Sequence, residues 1–146
     1  MLELLASLPL SDIHVLFVFV TLALVVTADG HGFLWLIGKL EVLPRPRMEL
    51  LHKLIWGGLS VIITTGAIMF LFYQDYLVTV TAFWIKMGFV LALLINAFFI
   101  GKLAHKSYSR PFVLLTHDER IPLIISGAVS TVAWVGAFTA AQFLGL

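Results

Sequence analysis

The stretch from Asp12 to Lys39 constrains the fold of this chain more than any other. It opens with the apolar run SDIHVLFVFVTLALVVTA and continues as DGHGFLWLIGK. An apolar run of this length is typical of a helix that crosses a membrane. The run also holds His14 near one end, and Asp29 and His31 near the other. Ionisable groups inside a membrane span are energetically costly, so their presence there indicates function.

The rest of the chain has the composition of an integral membrane protein. Of its 146 residues, 61% are hydrophobic and 12% are charged, and its mean hydropathy is +1.07. A soluble domain of this size could not bury so much apolar surface. No basic cluster resembles a nucleic-acid-binding arm, so no nucleic-acid partner is expected. The absence of cysteine excludes disulfides, thiolate metal sites and cysteine nucleophiles.

Hydropathy predicts an all-α fold, an integral membrane four-helix bundle formed by a single domain of residues 1–146. The predicted spans are 12–38, 49–73, 77–104 and 118–144. Residues 1–11 are expected to form a short interfacial helix. The two prolines of KLEVLPRPRMEL predict a loop, and a short turn is expected around Asp75. Thr116 and Glu119 have the spacing of a capping box at the start of the fourth span.

Basic residues predict the orientation of the four spans. Eight of the nine Lys and Arg residues flank the loops after spans one and three. They are Lys39, Arg45, Arg47, Lys53, Lys102, Lys106, Arg110 and Arg120. The positive-inside rule places both loops in the cytoplasm and both termini outside, on the periplasmic side. The predicted location is the bacterial cytoplasmic (inner) membrane, with the lipid bilayer as the main partner.

The ionisable groups of the spans fall into two levels when depth is counted at about 1.5 Å per helical residue. An outer level has His14 and Lys86, and an inner level has Asp29, His31 and His52. At about 100° per residue, one stripe of each span carries small or polar residues and is expected to face the bundle interior. The stripes are His14, Thr21, Ala28 and Gly32 in span one, His52, Trp56, Ser60 and Ile63 in span two, and Lys86, Val90, Leu93, Ala97 and Ala104 in span three. Span four contributes small residues that suit close packing, namely Ser126, Gly127, Ser130, Gly136 and Ala140.

Histidines on facing stripes of a four-helix bundle suit a bound porphyrin, because neutral imidazole is a standard axial ligand of heme iron. Heme b is therefore the suspected cofactor, with His14, His31 and His52 as candidate iron ligands. Asp29 is expected to orient His31, and Lys86 is the candidate catalytic group, as a proton donor or an anchor for a carboxylate. The alternatives are an interfacial His14, a snorkelling Lys86 and a simple Asp29–His31 hydrogen bond at a helix break.

At these positions the chain resembles the superfamily of small bacterial membrane proteins that includes HemJ-type protoporphyrinogen oxidases and the copper-resistance protein D domain. The matching residues are His14 in DIHVLFVF, Trp56-Gly57 in LIWGG, Thr65-Gly66 in TTGAIM, and Lys86 and Asn96 in FWIKMGFVLALLINAFFIGK. The resemblance covers spans one to three and implies a membrane bundle that binds heme. The chain departs from the HemJ-type pattern in DGHGFLWL, where a Leu-Pro-Arg segment is usual, and at Asn96, where a histidine is frequent.

Three functional classes follow from these patterns. The first is a heme b-binding redox protein, a HemJ-like protoporphyrinogen oxidase or an electron-transfer cytochrome, forming a homo-oligomer or docking a membrane redox partner. The second is a transporter, in which Lys86, Asp29 and the histidines line a path for a cation, a metal or a proton. The third is a structural or assembly subunit, whose small-residue faces dock a larger membrane complex.

Overall fold

A computed structural model describes residues 9–144 of the chain. It contains four α-helices, α1 (Leu10–Leu36), α2 (Arg45–Leu77), α3 (Thr81–Leu103) and α4 (His117–Ala141). Two short 3-10 helices, Ala104–Tyr108 and Phe112–Leu114, connect α3 to α4. Each α-helix is long and apolar enough to cross a membrane. The prediction of an all-α, multi-pass membrane bundle is therefore confirmed. The first eight residues of the interfacial helix expected over 1–11 lie outside the described residues.

The second helix is longer at both ends than the sequence predicts. It begins at Arg45, with Pro46 in its first turn, where the missing N–H of proline leaves no hydrogen bond unmade. The expected loop therefore shortens to the residues before Arg45. At the other end α2 continues past Asp75 to Leu77, with a local kink at Tyr73 (φ −118°, ψ 15°). The turn predicted around Asp75 lies instead at Val78–Val80.

The four helices are arranged as two antiparallel pairs. Helix α1 packs mainly on α2, and α3 mainly on α4, whereas the two pairs approach each other closely at few positions. Apolar side chains from all four helices fill the centre between the pairs. The buried members of this central cluster are Val25, Leu59, Leu93, Ala133 and Trp134. Burying apolar groups between pairs leaves the outer helix faces to contact lipid.

The contact between α1 and α2 follows a regular antiparallel register. His14 of α1 contacts Thr65 of α2. Seven residues later in α1 and seven residues earlier in α2, Thr21 contacts Gly58. A methyl group at Gly58 would collide with the side chain of Thr21, which is completely buried. A glycine at this position therefore allows the two helix backbones to approach closely, as small residues do in membrane bundles.

The two basic loops meet at one end of the bundle. The indole Nε1 of Trp35 donates to the carbonyl of Arg110 at 3.1 Å, and the N–H of Leu43 donates to the carbonyl of Ser107 at 2.9 Å. Trp35, Leu43 and Leu115 form a buried apolar cluster beneath these bonds. These contacts hold the loop after α1 against the loop before α4. We call this end, which carries eight of the nine basic residues, the basic end.

The start of α4 confirms the predicted capping box. The carboxylate of Glu119 accepts the backbone N–H of Thr116 at 3.0 Å. The same carboxylate receives Lys106 at 3.2 Å and Arg110 at 3.1 Å. Glu119 thus caps the N-terminus of α4 and neutralises part of the positive charge at the basic end.

Candidate functional site

His14 lies in the half of α1 that is far from the basic end, in contact with α2. Its Nδ1 is 2.8 Å from the hydroxyl oxygen of Thr65. That hydroxyl has one hydrogen, and the carbonyls of Val61 at 2.8 Å and Ile62 at 3.1 Å are both within reach to accept it. The Thr65 oxygen is therefore an acceptor for the Nδ1–H of His14. This tautomer leaves a lone pair on Nε2. The backbone of Ile62 also lies within hydrogen-bond reach of the His14 ring.

The His14 ring also rests against the backbone of α2. Its Cε1 atom is 3.3 Å from the position that a Cβ would occupy at Gly66. Two neighbouring residues of α2 thus hold the imidazole, Thr65 by a hydrogen bond and Gly66 by leaving space for the ring. An imidazole that is fixed at Nδ1 and open at Nε2 has the arrangement of a metal-binding histidine.

Lys86 is on α3, one turn after the helix begins at Thr81. It is half-buried and lies within electrostatic reach of His14. Within residues 9–144 its ammonium forms no hydrogen bond and no ion pair. The structure therefore brings the two residues of the predicted outer level near each other.

Asp29 and His31 do not pair, contrary to the expectation that the carboxylate orients the imidazole. Helix α1 continues without a break through Gly30 and Gly32. Residues two apart on a helix are about 200° apart around its axis, so their side chains point to opposite sides. The carboxylate of Asp29 instead accepts the hydroxyl of Ser130 on α4 at 2.9 Å.

His31 has both ring nitrogens engaged on the α2 side of α1. Its Nδ1 donates to the carbonyl of Thr27 at 2.7 Å. Its Nε2 is 3.4 Å from a guanidinium nitrogen of Arg47, near the start of α2. The lone pair that would bind a metal therefore faces a cation. In this position His31 contacts Arg47 at the basic end of the bundle.

His52 lies on a different side of α2, against α3. The indole N–H of Trp56 donates to its Nε2 at 3.1 Å, and the same nitrogen is 3.1 Å from the position of a Cβ at Gly101. The His52 lone pair is thus also occupied. Beyond Trp56, the predicted α2 stripe points away from the bundle, because Ser60 and Ile63 are exposed. The α2 face that contacts α1 carries Leu51, Gly58 and Thr65 instead.

The predicted inner level is therefore three separate sites. Asp29 binds α4, His31 binds the start of α2, and His52 packs on α3. Within the part of the chain that the structure describes, no three His, Cys, Asp or Glu side chains gather around one point. The central apolar cluster lies between these residues and the His14–Lys86 level.

Two elements of the polar network are missing from the sequence-based site. One is Thr65, the partner of His14. The other is a pair of side-chain links on α4, where Ser126 exchanges two hydrogen bonds with Asn96 (2.7 and 3.1 Å) and Ser130 binds Asp29. Ser126 and Ser130 were predicted only as small packing residues. Their one-turn spacing in an uncharged helix was the available signal.

An apolar cleft of about 320 Å³ opens between α3 and α4, on the half of the bundle that holds His14. It is lined by Ala82, Ile85 and Phe89 of α3 and by Gly136 and Ala140 of α4. His14 does not line this cleft. No family model, curated protein or solved structure matches the chain.

Proposed function

We propose that this protein is a membrane-embedded heme b-binding redox protein in which His14 is the iron ligand. The observation that carries the proposal is the contact of His14 Nδ1 with the Thr65 hydroxyl, which favours the tautomer with its lone pair on Nε2. Heme iron binds a neutral imidazole through such a nitrogen, and a hydrogen bond at the other nitrogen fixes the ring. When bound, heme would supply one-electron redox chemistry at this site.

Lys86 complements His14 in this proposal. It is a half-buried lysine with no ion-pair partner within residues 9–144, and a porphyrin carries carboxylate groups that need a positive partner in an apolar environment. Lys86 therefore anchors a carboxylate beside His14, or donates a proton to a bound donor molecule. Because its position near the start of α3 is far from the basic end, snorkelling would take it to the sparsely charged surface.

His31 and His52 are not iron ligands in this proposal. Each uses its Nε2 lone pair within the fold, the first toward Arg47 and the second toward Trp56. Displacing either donor would leave a buried N–H or guanidinium group without its acceptor. The proposal therefore assigns one heme to the His14–Lys86 level and none to the opposite level.

The resemblance to HemJ-type oxidases and the copper-resistance protein D domain supports the same site. The residues that carry it include His14, the Thr65-Gly66 pair and Lys86, and in the fold these residues lie around one imidazole. The departures from that pattern, DGHGFLWL and Asn96, lie elsewhere in the bundle. Heme binding is thus better supported than the particular oxidation of protoporphyrinogen.

The proposed setting is the bacterial inner membrane. The basic end faces the cytoplasm by the positive-inside rule, so both termini and the His14–Lys86 level are on the periplasmic side. Electrons, or hydrogen equivalents from a quinol or a porphyrinogen, reach the site from the bilayer. A second copy or a membrane redox partner receives them.

The transport alternative has less support from the fold. A path for a cation across the bundle needs polar groups or water between the two levels. The central cluster of Val25, Leu59, Leu93 and Trp134 occupies that position instead. A structural subunit remains the third alternative, since its docking faces would be the lipid-facing ones.

The test is the absorption spectrum of the protein purified after expression with ample heme. The proposal predicts a Soret band with a stoichiometry near one heme per chain. The variant His14→Ala tests the proposed ligand, and His52→Ala is its matched control. Both remove an imidazole that touches a glycine of the neighbouring helix. Loss of the band in His14→Ala alone supports the proposal. Wild-type protein without a Soret band overturns it.

A further inference from the structure

Asp29 is the one carboxylate that the fold places well inside the membrane-spanning part of α1. It lies seven residues before the helix ends at Leu36, which is about 10 Å along the axis at 1.5 Å per residue. The side chain is on the surface of the bundle, where α1 meets α4. In a bilayer that surface is covered by acyl chains rather than by water.

The surroundings of Ser130 direct its hydroxyl group toward Asp29. Ser130 is only 7% exposed and donates to the Asp29 carboxyl group at 2.9 Å. Several serine and threonine hydroxyls in the spans donate to the carbonyl four residues earlier, as Thr27, Ser60 and Thr131 do. The corresponding carbonyl for Ser130 belongs to Ser126.

That carbonyl has another partner. The side-chain amide of Asn96 donates to the Ser126 carbonyl at 3.1 Å, and the hydroxyl of Ser126 donates back to the Asn96 oxygen at 2.7 Å. Asn96 thereby occupies the Ser126 carbonyl, to which the Ser130 hydroxyl would otherwise donate. The Ser130 hydroxyl is left to cross the gap to α1. Residues of α3 and α4 together place the Ser130 hydroxyl against the carboxyl group of Asp29 on α1.

No cation faces Asp29 within residues 9–144. Helix α4 contributes Ser130 and has no charged residue after Arg120. On α3, Lys86 is near the opposite end of the helix, and Lys102 lies over the ring of Phe98 at 4.5 Å. On α2, Arg47 turns toward His31, and His52 packs on Gly101. On α1 itself, His31 points to the opposite side of the helix.

An ionised carboxylate in an apolar environment needs a counter-ion or several hydrogen bonds. Among the residues that the structure describes, Asp29 has one side-chain hydrogen bond and no counter-ion. We propose that Asp29 is a proton-binding site, a carboxyl group that holds a proton inside the membrane at the contact between α1 and α4. The ligand is the proton itself, because one carboxyl group and one donating hydroxyl offer too few oxygen ligands for a metal cation.

Infrared spectroscopy of the full chain in lipid nanodiscs at pH 7 tests this proposal. We expect the C=O stretch of a protonated carboxylic acid, which disappears in Asp29→Asn and remains in Asp75→Asn, whose parent residue is exposed. Ser130→Ala removes one hydrogen bond and moves the band to higher frequency. Thr131→Ala, which changes the adjacent hydroxyl on α4, leaves the band in place.

Two results overturn the proposal. The first is a wild-type spectrum without a carboxylic-acid band, or with a band that survives in Asp29→Asn. The second is a band that disappears when sodium chloride replaces an equal concentration of choline chloride at constant pH, which would identify a sodium site. Heme content in Asp29→Asn is expected to match that of the wild type, so the outcome is separate from that of the heme proposal.

Discussion

The side-chain oxygen of Thr65 accepts a hydrogen bond from Nδ1 of His14 at 2.8 Å, across the contact between α1 and α2. Because the carbonyls of Val61 and Ile62 can accept the hydrogen of Thr65, this contact favours the tautomer of His14 that carries its proton on Nδ1. The same hydrogen bond would raise the basicity of Nε2 and orient the ring for a metal. The heme proposal depends on this arrangement more than on any other contact in the protein.

Thr65→Val removes the acceptor while keeping the shape of the side chain. Loss of such an orienting bond typically lowers metal affinity by about 10- to 100-fold. We therefore expect weaker heme binding by Thr65→Val, measured by transfer of heme to apomyoglobin. Thr64→Val is the matched control, since the Thr64 hydroxyl is exposed and donates to the Ser60 carbonyl. Equal loss in both variants, or in neither, contradicts the assigned role of Thr65.

The close approach of α1 and α2 gives a prediction about stability. Gly58→Ala places a methyl group against the buried side chain of Thr21, and overpacking of this kind costs about 1–3 kcal/mol. Gly57→Ala is the control, because nothing lies within 4 Å of a Cβ at Gly57. The free energy of unfolding in mixed lipid and SDS micelles is the measurement.

A second variant separates the Thr21 contact from a general effect of alanine in α2. Removing the hydroxyl in Thr21→Ala should relieve the collision, so the double variant Gly58→Ala/Thr21→Ala loses less stability than the two single variants predict together. Strictly additive losses would mean that the two residues do not touch in the membrane.

The double hydrogen bond between Asn96 and Ser126 links α3 to α4. Interhelical hydrogen bonds within membranes contribute about 0.6 kcal/mol on average, with a maximum of about 1.7 kcal/mol. A double-mutant cycle with Asn96→Ala and Ser126→Ala should give a coupling energy within this range, which reports the hydroxyl bond alone because the Ser126 carbonyl is kept in Ser126→Ala. The exposed Ile95 provides the control as Ile95→Ala, which should show no coupling to Ser126→Ala. A coupling energy of zero for Asn96 would contradict the geometry.

Orientation in the membrane can be measured directly because the chain has no cysteine. Asp75→Cys, near the end of α2, and Ser109→Cys, in the loop before α4, each introduce one exposed thiol. A membrane-impermeant maleimide added to intact spheroplasts should label the cysteine at position 75. The cysteine at position 109 should be labelled only after the membrane is opened. The reverse pattern would place the basic end outside.

The four membrane helices are predictable because long apolar runs have few alternatives. The residues at which these helices begin and end are less predictable. The prolines before and within the first turn of α2 indicate a loop and a helix start equally well, and here Arg45 already belongs to the helix. Asp75 looks like a turn residue, but it lies in the last turns of α2, and the chain reverses after Leu77.

The site is only partly predictable for a different reason. Stripes on single helices identify His14 and Lys86, because each is an unusual residue for its depth. They do not reveal the register between helices, which decides that Thr65 and not Thr64 meets His14. Likewise, the partner of Asp29 depends on whether α1 is continuous. Once the helix is unbroken, His31 is on its opposite side, and Ser130 is reached only through the packing of α4.

The most direct test of the account is a titration of heme into heme-free protein in lipid nanodiscs, followed in the Soret region. Wild-type, His14→Ala, His31→Ala and His52→Ala proteins are compared at equal concentration. The account predicts saturation near one heme per chain in the wild type and in the His31 and His52 variants, with loss of the Soret shift in His14→Ala. Unchanged binding by His14→Ala, or a loss caused by His31→Ala or His52→Ala instead, would contradict it.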